Sequence, residues 1–316
     1  MTIRNAMKYF DTKAIQTALP YQLLVEALAQ GLQQFAQTPA RSFFSPNQDA
    51  SCVMIMPAWR PHQMMGVKLV SVWPENNAKG ESAVSAVYVV ISCLDGRPLA
   101  VLDGTELTLR RTAAAAALAA KRLARENSET LAVLGTGSLS VPLVQAHTDT
   151  MRLKNVLVWG RQFHKTQRVV KQLKELGIEV RAMGDLEETL ALSDVVAVAT
   201  TATEPFLKAD WVKPGTHISL VGAFTPQMAE AEPVLMARSQ LFADCRASVL
   251  EKGGEVFQAI KQGLVLDSDI IADLAELTAQ SDRNWRHDGQ AITVFKSVGF
   301  ALLDLIAAEV VMKDSR

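Results

Sequence analysis

Residues 131–140, Leu-Ala-Val-Leu-Gly-Thr-Gly-Ser-Leu-Ser, run a short apolar strand into Gly135-x-Gly137-x-x-Ser140. No other segment narrows the fold as much. In a dinucleotide-binding turn the first glycine permits the sharp bend. The second lets backbone approach a pyrophosphate, and a small third residue lets helix and strand pack closely. The phosphates then meet the helix N-terminus. A lone match is weak, and the third position is Ser140 rather than Gly or Ala. The surroundings strengthen it. Strands are expected at 131–134, 155–159, 178–182, 194–200 and 217–221, with helical patterns at 138–149, 163–176 and 186–192. Such alternation builds a parallel sheet through right-handed crossovers. Gly135, Thr136, Gly137, Ser138 and Leu139 are therefore candidate cofactor contacts. So are Thr200, Thr201 and Gly222, which follow strands whose C-terminal ends line the ligand crevice in such sheets.

The first hundred residues have a different rhythm. Pro20 opens an amphipathic helix whose Leu24, Leu28, Leu32 and Phe35 share a face. Strands are expected at 51–59, 64–73 and 83–94, and the last pairs with 98–102 as a hairpin across Asp95-Gly96. This is an α+β pattern. An Ala-rich helix over 108–126 bridges the two halves. The tail, 292–311, reads as one more helix, with Phe295, Val298, Leu302, Leu305 and Ile306 on one face, returning to the first domain. The Glu251-Lys252-Gly253-Gly254-Glu255 stretch reads as a helix break.

A net charge of −1 gives no basic footprint for nucleic acid and no field for an anionic membrane. The longest apolar stretch, 83–94, is too short to span a bilayer, and the first ten residues lack a signal-peptide core. Three scattered cysteines (Cys52, Cys93, Cys245) and five histidines without ligand spacing point to no metal site and to a reducing cytoplasmic setting.

An NAD-selective site places an acid after the second strand to bind the ribose 2′-OH. That strand instead leads into Gly160-Arg161-Gln162-Phe163-His164-Lys165. Arg161 can fork onto a 2′-phosphate and Lys165 can add charge, so NADPH is preferred, with NADH as the other option. A solvated loop arginine is the competing reading. In the first domain Arg41, Lys68 and Arg111 stand out. Lys68 lies inside an apolar run, where a buried cation needs an acidic partner or an anionic ligand.

With these residues in place, a family becomes visible. Gly66-Val67-Lys68, Leu102-Asp103-Gly104-Thr105-Glu106-Leu107-Thr108-x-x-Arg111-Thr112-Ala113-Ala114, Gly135-Thr136-Gly137 and Thr293-Val294-Phe295-Lys296-Ser297-Val298-Gly299 occur in order along nearly the whole chain. Together they resemble the ornithine cyclodeaminase/μ-crystallin family. The resemblance implies an α/β protein with a Rossmann-type parallel-sheet domain plus an α+β substrate-binding and dimerisation domain. The boundaries are expected at 1–112 with 290–316, and at 113–289. It implies a homodimer through the non-Rossmann domain. It further implies that Arg41, Lys68 and Arg111 hold a substrate carboxylate. Lys68 and Arg111 are the catalytic candidates, Lys68 as anchor or proton relay. Lys296 to Gly299 would lie near the nicotinamide, with Val298 and Gly299 among the cofactor contacts.

One departure discriminates within the family. Its cyclodeaminases carry an aspartate after the fifth Rossmann strand, where this chain has Phe224 in Gly222-Ala223-Phe224-Thr225-Pro226. A phenyl ring exchanges no protons. This suits reduction of a preformed cyclic ketimine carboxylate, Δ1-pyrroline-2-carboxylate or Δ1-piperideine-2-carboxylate, with Phe224 among the substrate contacts. The alternatives are ornithine cyclodeamination and non-catalytic binding of NADPH or a small ligand. Leu139, where many members have Gln, and Ala83, where cyclodeaminases tend to have Thr, are lesser departures.

Overall fold

The computed structural model describes residues 7–47, 51–79, 81–280 and 282–313. Positions 1–6 of the N-terminal segment read above lie outside them. The chain forms two compact units, Met1–Arg111 with Phe300–Arg316, and Thr112–Gly299.

The first unit holds β1 (Lys8–Phe10), α1 (Thr12–Ala18), α2 (Tyr21–Gly31), β2 (Ser42–Phe44), β3 (Cys52–Arg60), β4 (Met64–Val72), β5 (Val84–Ser92) and β6 (Pro98–Asp103). These strands make one sheet, ordered β1-β6-β5-β4-β3-β2. It is antiparallel from β2 to β6, with β1 added parallel to β6. Burial alternates along β3 and β4 with the period of the pleat. One face carries Met54, Met56, Ala58, Lys68 and Val70, all buried. It is covered by the C-terminal helix, Ala301–Lys313, which also packs on α2. The other face, with Val53, Ile55, Trp59, Val67 and Leu69, stays partly exposed. The expected hairpin across Asp95-Gly96 is present as β5–β6.

α3 (Gly104–Leu123) starts four residues earlier than the Ala-rich pattern suggests. Asp103 explains the shift. Its Oδ1 accepts from the Thr105 and Glu106 amides at 2.9 and 3.1 Å, an N-cap at the start of the helix.

The second unit continues with β7 (Thr130–Leu134), α4 (Ser140–Thr150), β8 (Asn155–Trp159), α5 (Phe163–Glu175), β9 (Arg181–Met183), α6 (Leu186–Leu192), β10 (Val195–Val198) and β11 (His217–Leu220). Then come α7 (Pro233–Ala237), β12 (Ser239–Ala243), α8 (Arg246–Lys252), α9 (Gly254–Lys261), β13 (Ile270–Asp273), α10 (Leu274–Ala279) and β14 (Ile292–Lys296). All eight strands are parallel, ordered β13-β12-β14-β11-β10-β7-β8-β9. Four of the five expected strands are there; the one expected at 178–182 lies later, as β9 (Arg181–Met183), and β12, β13 and β14 extend the sheet. The helix expected from Ile292 is corrected: residues 292–296 are strand, and helix begins at Ala301. Thr293, Val294 and Phe295 are β-favouring and buried, and Gly299 at φ +72° separates strand from helix. From β7 the chain steps outward to β8 and β9 on one side and to β10 and β11 on the other. The switch point therefore lies between β7 and β10, where open parallel sheets bind ligands.

Candidate functional site

The second unit carries a candidate dinucleotide site at the C-terminal ends of β7 and β10. Gly135 leaves β7 at φ +131°, and a Cβ there would strike the carbonyl of Ala199, which follows β10. The turn is thus tight and sits directly against the neighbouring strand end. Gly137 faces open space, with nothing within 4 Å of where a Cβ would stand. Ser140, fully buried, donates its hydroxyl to the Gly135 carbonyl at 2.9 Å and ties the turn to α4. No side chain caps the N-terminus of α4. An open glycine beside uncapped amides fits a pyrophosphate. Thr136, Ser138 and Leu139 complete the turn, each at least partly exposed.

The other cofactor candidates fall into three places. Arg161 and Lys165 are exposed at the start of α5, whose first turn has no acid to complement the helix dipole. Thr200 and Gly222 are half-buried and Thr201 exposed, in the segments after β10 and β11. Val298 and Gly299 are buried and donate their amides to Asp244 Oδ2 at 3.0 and 2.6 Å, and the Ser297 hydroxyl joins them at 2.7 Å. The Lys296 ammonium is buried and lies 2.7 Å from Glu255 Oε2. Phe224 is half-buried against the core of this unit. Trp159, at the end of β8, stacks on Phe206 with ring centroids 5.6 Å apart.

The first unit gathers the three expected cations. Lys68 sits on the covered face of β4, between Met56 and Tyr88 on the adjacent strands. Its Nζ donates to Asp304 Oδ2 at 2.8 Å, and Arg111 Nε donates to Asp304 Oδ1 at 2.9 Å. Side-chain exposure is 2% for Lys68, 6% for Arg111 and none for Asp304. Burial is the largest influence on Lys68 and lowers its pKa to about 8. Asp304 opposes that, while Arg111 and Arg41 push further down, so Arg41 acts on the same group. Burial would raise Asp304, but Arg111 and Lys68 outweigh it and hold the carboxyl below its usual range. The cluster is two buried cations on one carboxylate with a third cation in electrostatic reach. It retains positive charge for a small anionic ligand. Among the described residues the Arg111 Nη atoms make no hydrogen bond, so that edge of the fork can take a second carboxylate.

Residues 8–316 match the ornithine cyclodeaminase/mu-crystallin family. The chain belongs to this family. Among its members, the Δ1-pyrroline-2-carboxylate reductase of Paracoccus denitrificans is 34% identical over 93% of each chain. Among solved structures, the Thermococcus litoralis Δ1-pyrroline-2-carboxylate reductase in complex with NADH and L-proline gives a TM-score of 0.93. It is 28% identical, with 98% of this chain and 97% of that one covered. An archaeal alanine dehydrogenase dimer with bound NAD gives 0.89 at 26% identity, covering 98% and 96%.

Four carboxylates of this family member escape sequence reasoning: Asp304, Asp244, Glu230 and Glu255, each buried to within 1% of full. Asp304 carried a signal, a lone acid within the apolar run Ala301–Ala308. Glu255 was absorbed into the helix break. That break is present between α8 and α9, but the side chain turns inward. Among the described residues no group of His, Cys, Asp or Glu could hold a metal ion, and no helix is long and apolar enough to cross a membrane.

Proposed function

We propose that this chain reduces Δ1-pyrroline-2-carboxylate to L-proline, and Δ1-piperideine-2-carboxylate to L-pipecolate, with NADPH preferred over NADH, as a cytoplasmic homodimer. The buried Lys68–Asp304–Arg111 cluster carries this reading. It is a preformed receptor for one small carboxylate in the first unit, and the second unit separately carries a glycine turn that fits a pyrophosphate.

The anchoring follows from the donors. Arg111 offers a planar fork whose Nε is already fixed by Asp304, so little side-chain freedom is lost when a ligand docks. Lys68 and Arg41 add point and fork charge. Holding the carboxylate fixes the ring and presents C2 in one orientation, and positioning alone supplies much of a rate enhancement. A reduced nicotinamide supplies the hydride when bound. The imine nitrogen must carry a proton in the amine product. Lys68, at about 8, holds an exchangeable proton near neutrality, while its contact with Asp304 favours the anchoring role.

The finer choices have separate support. For the ring substrate, Phe224 offers no ionisable group where cyclodeamination would use an aspartate. For NADPH, Arg161 stands after β8, with Lys165 in the first turn of α5 against its dipole. For the dimer, the partly exposed apolar face of the first sheet is available, and the related alanine dehydrogenase is a dimer. The three cysteines are free, which suits a reducing compartment.

The test measures oxidation of NADPH and NADH with each cyclic imine, beside ammonia release from L-ornithine. Rapid oxidation with an imine and no ammonia supports the proposal. Ammonia without oxidation assigns cyclodeamination. Dinucleotide binding with neither reaction assigns a binding role.

A further inference from the structure

The second unit buries a charged cluster that the chemistry above leaves unused. Glu230, Glu255 and Lys296 are all fully buried. Glu230 Oε1 accepts from the Thr200 amide at 2.6 Å and the Thr200 hydroxyl at 2.9 Å. Its Oε2 accepts from the Gly222 and Ala223 amides at 2.8 and 3.3 Å. One carboxylate therefore ties the segments leaving β10 and β11, neighbours in the sheet. The cluster reaches a third strand. Glu255 Oε1 accepts from the Glu230 amide at 2.7 Å, and Glu255 Oε2 meets Lys296 at the end of β14, next to β11. The fit is close: a Cβ on Gly222 would strike Glu230 Oε1.

We propose that Glu230 is a positioning residue for dinucleotide binding: its ionised carboxylate holds the Thr200 and Gly222 segments in the binding arrangement, and protonation loosens them. The proposal rests on the reading of Thr200 and Gly222 as cofactor-bordering.

The chemistry makes the carboxylate's charge the controlling variable. An ionised carboxylate accepts at both oxygens, whereas a protonated one turns an oxygen into a donor facing N–H groups. The groups facing Glu230 are Thr200 from the β10 segment, Gly222 and Ala223 from the β11 segment, Glu255 from α9 and Lys296 from β14. Asp244 instead serves Ser297, Val298 and Gly299. Burial pushes Glu230 up to about 7, Lys296 pulls it down and Glu255 pushes it up. Above that pH all four acceptor contacts hold, and they weaken as pH falls through it.

The experiment titrates NADPH and NADH into the whole protein between about pH 5.5 and 8.5. Amide exchange at Thr200, Gly222 and Ala223 is followed in parallel. The wild type is expected to bind with a pH-independent Kd above about 7 and with a Kd rising by up to about tenfold per unit below it. Glu230→Gln should bind weakly at every pH with a flat profile, and exchange faster at those amides but not along β7. Glu255→Gln removes the like charge and should move the wild-type transition to lower pH. It answers the question if Glu230→Gln fails to fold. A flat wild-type profile, or a Glu230→Gln profile that titrates like wild type, overturns the proposal while leaving the cofactor reading intact. No dinucleotide binding by wild type at any pH overturns that reading and the proposal with it.

Discussion

Asp304→Asn tests the receptor cluster directly. The substitution keeps the shape of the side chain and removes its charge, so no cavity term enters. Asp304 is fully buried and serves both Lys68 and Arg111, themselves almost fully buried. Breaking a buried pair by neutralising one partner costs about 3–5 kcal/mol. At about 2–4 °C per kcal/mol, the melting temperature should fall by about 6–20 °C. The pH dependence is the sharper signature. In the wild type Lys68 titrates at about 8, and Asp304 is what raises it against burial and the two arginines. Without that carboxylate Lys68 titrates lower. Between the two values the wild-type native state binds more protons than the variant's, so the variant gains more stability as pH rises. The penalty should be large near pH 6 and shrink by pH 9, where Lys68 is mostly neutral in both proteins. Urea denaturation across that range reads it out. A penalty below about 1 kcal/mol, or one that grows with pH, would refute the reasoning.

Other outcomes follow from the same geometry. Arg111→Ala should raise KM and lower kcat/KM about thirtyfold or more, since truncating one partner of a buried charge pair costs about 2–5 kcal/mol. Near-normal steady-state kinetics would contradict the assignment. Gly135→Ala meets both a positive φ and the Ala199 carbonyl, and should cost about 1–3 kcal/mol in denaturation. It should also weaken dinucleotide binding in a fluorescence titration. Arg161→Ala should raise the Kd for NADPH about tenfold or more and leave NADH unchanged, the loss of one charge-assisted contact. Equal effects on both would remove Arg161 from the 2′-phosphate.

What sequence reveals about this chain divides by range. The glycine turn and the βα alternation are local patterns, and β7, β8, β10 and β11 lie where periodicity puts them, with β9 shifted by three residues at its start. β12 and β14 are short, fully covered parallel strands that lack the alternation a half-exposed strand displays. β14 also hides behind a run that fits helical spacing until Gly299 interrupts it. The site divides the same way. Lys68 and Arg111 stand out as cations in apolar company. Asp304 becomes their partner only through contacts spanning 236 and 193 residues. Glu230 likewise gains its meaning from Thr200, thirty positions earlier in the chain. Acids that look solvated in sequence are turned inward by a sheet whose strand order no local window contains.

The most direct test of the central claim follows the hydride. NADPH carrying deuterium at both C4 positions of the nicotinamide is incubated with the protein and Δ1-pyrroline-2-carboxylate, and the product is read by NMR. The expected product is proline deuterated at C2, formed in step with NADPH oxidation. Proline without the label, or no reduced product from either cyclic ketimine carboxylate despite tight NADPH binding, would contradict it.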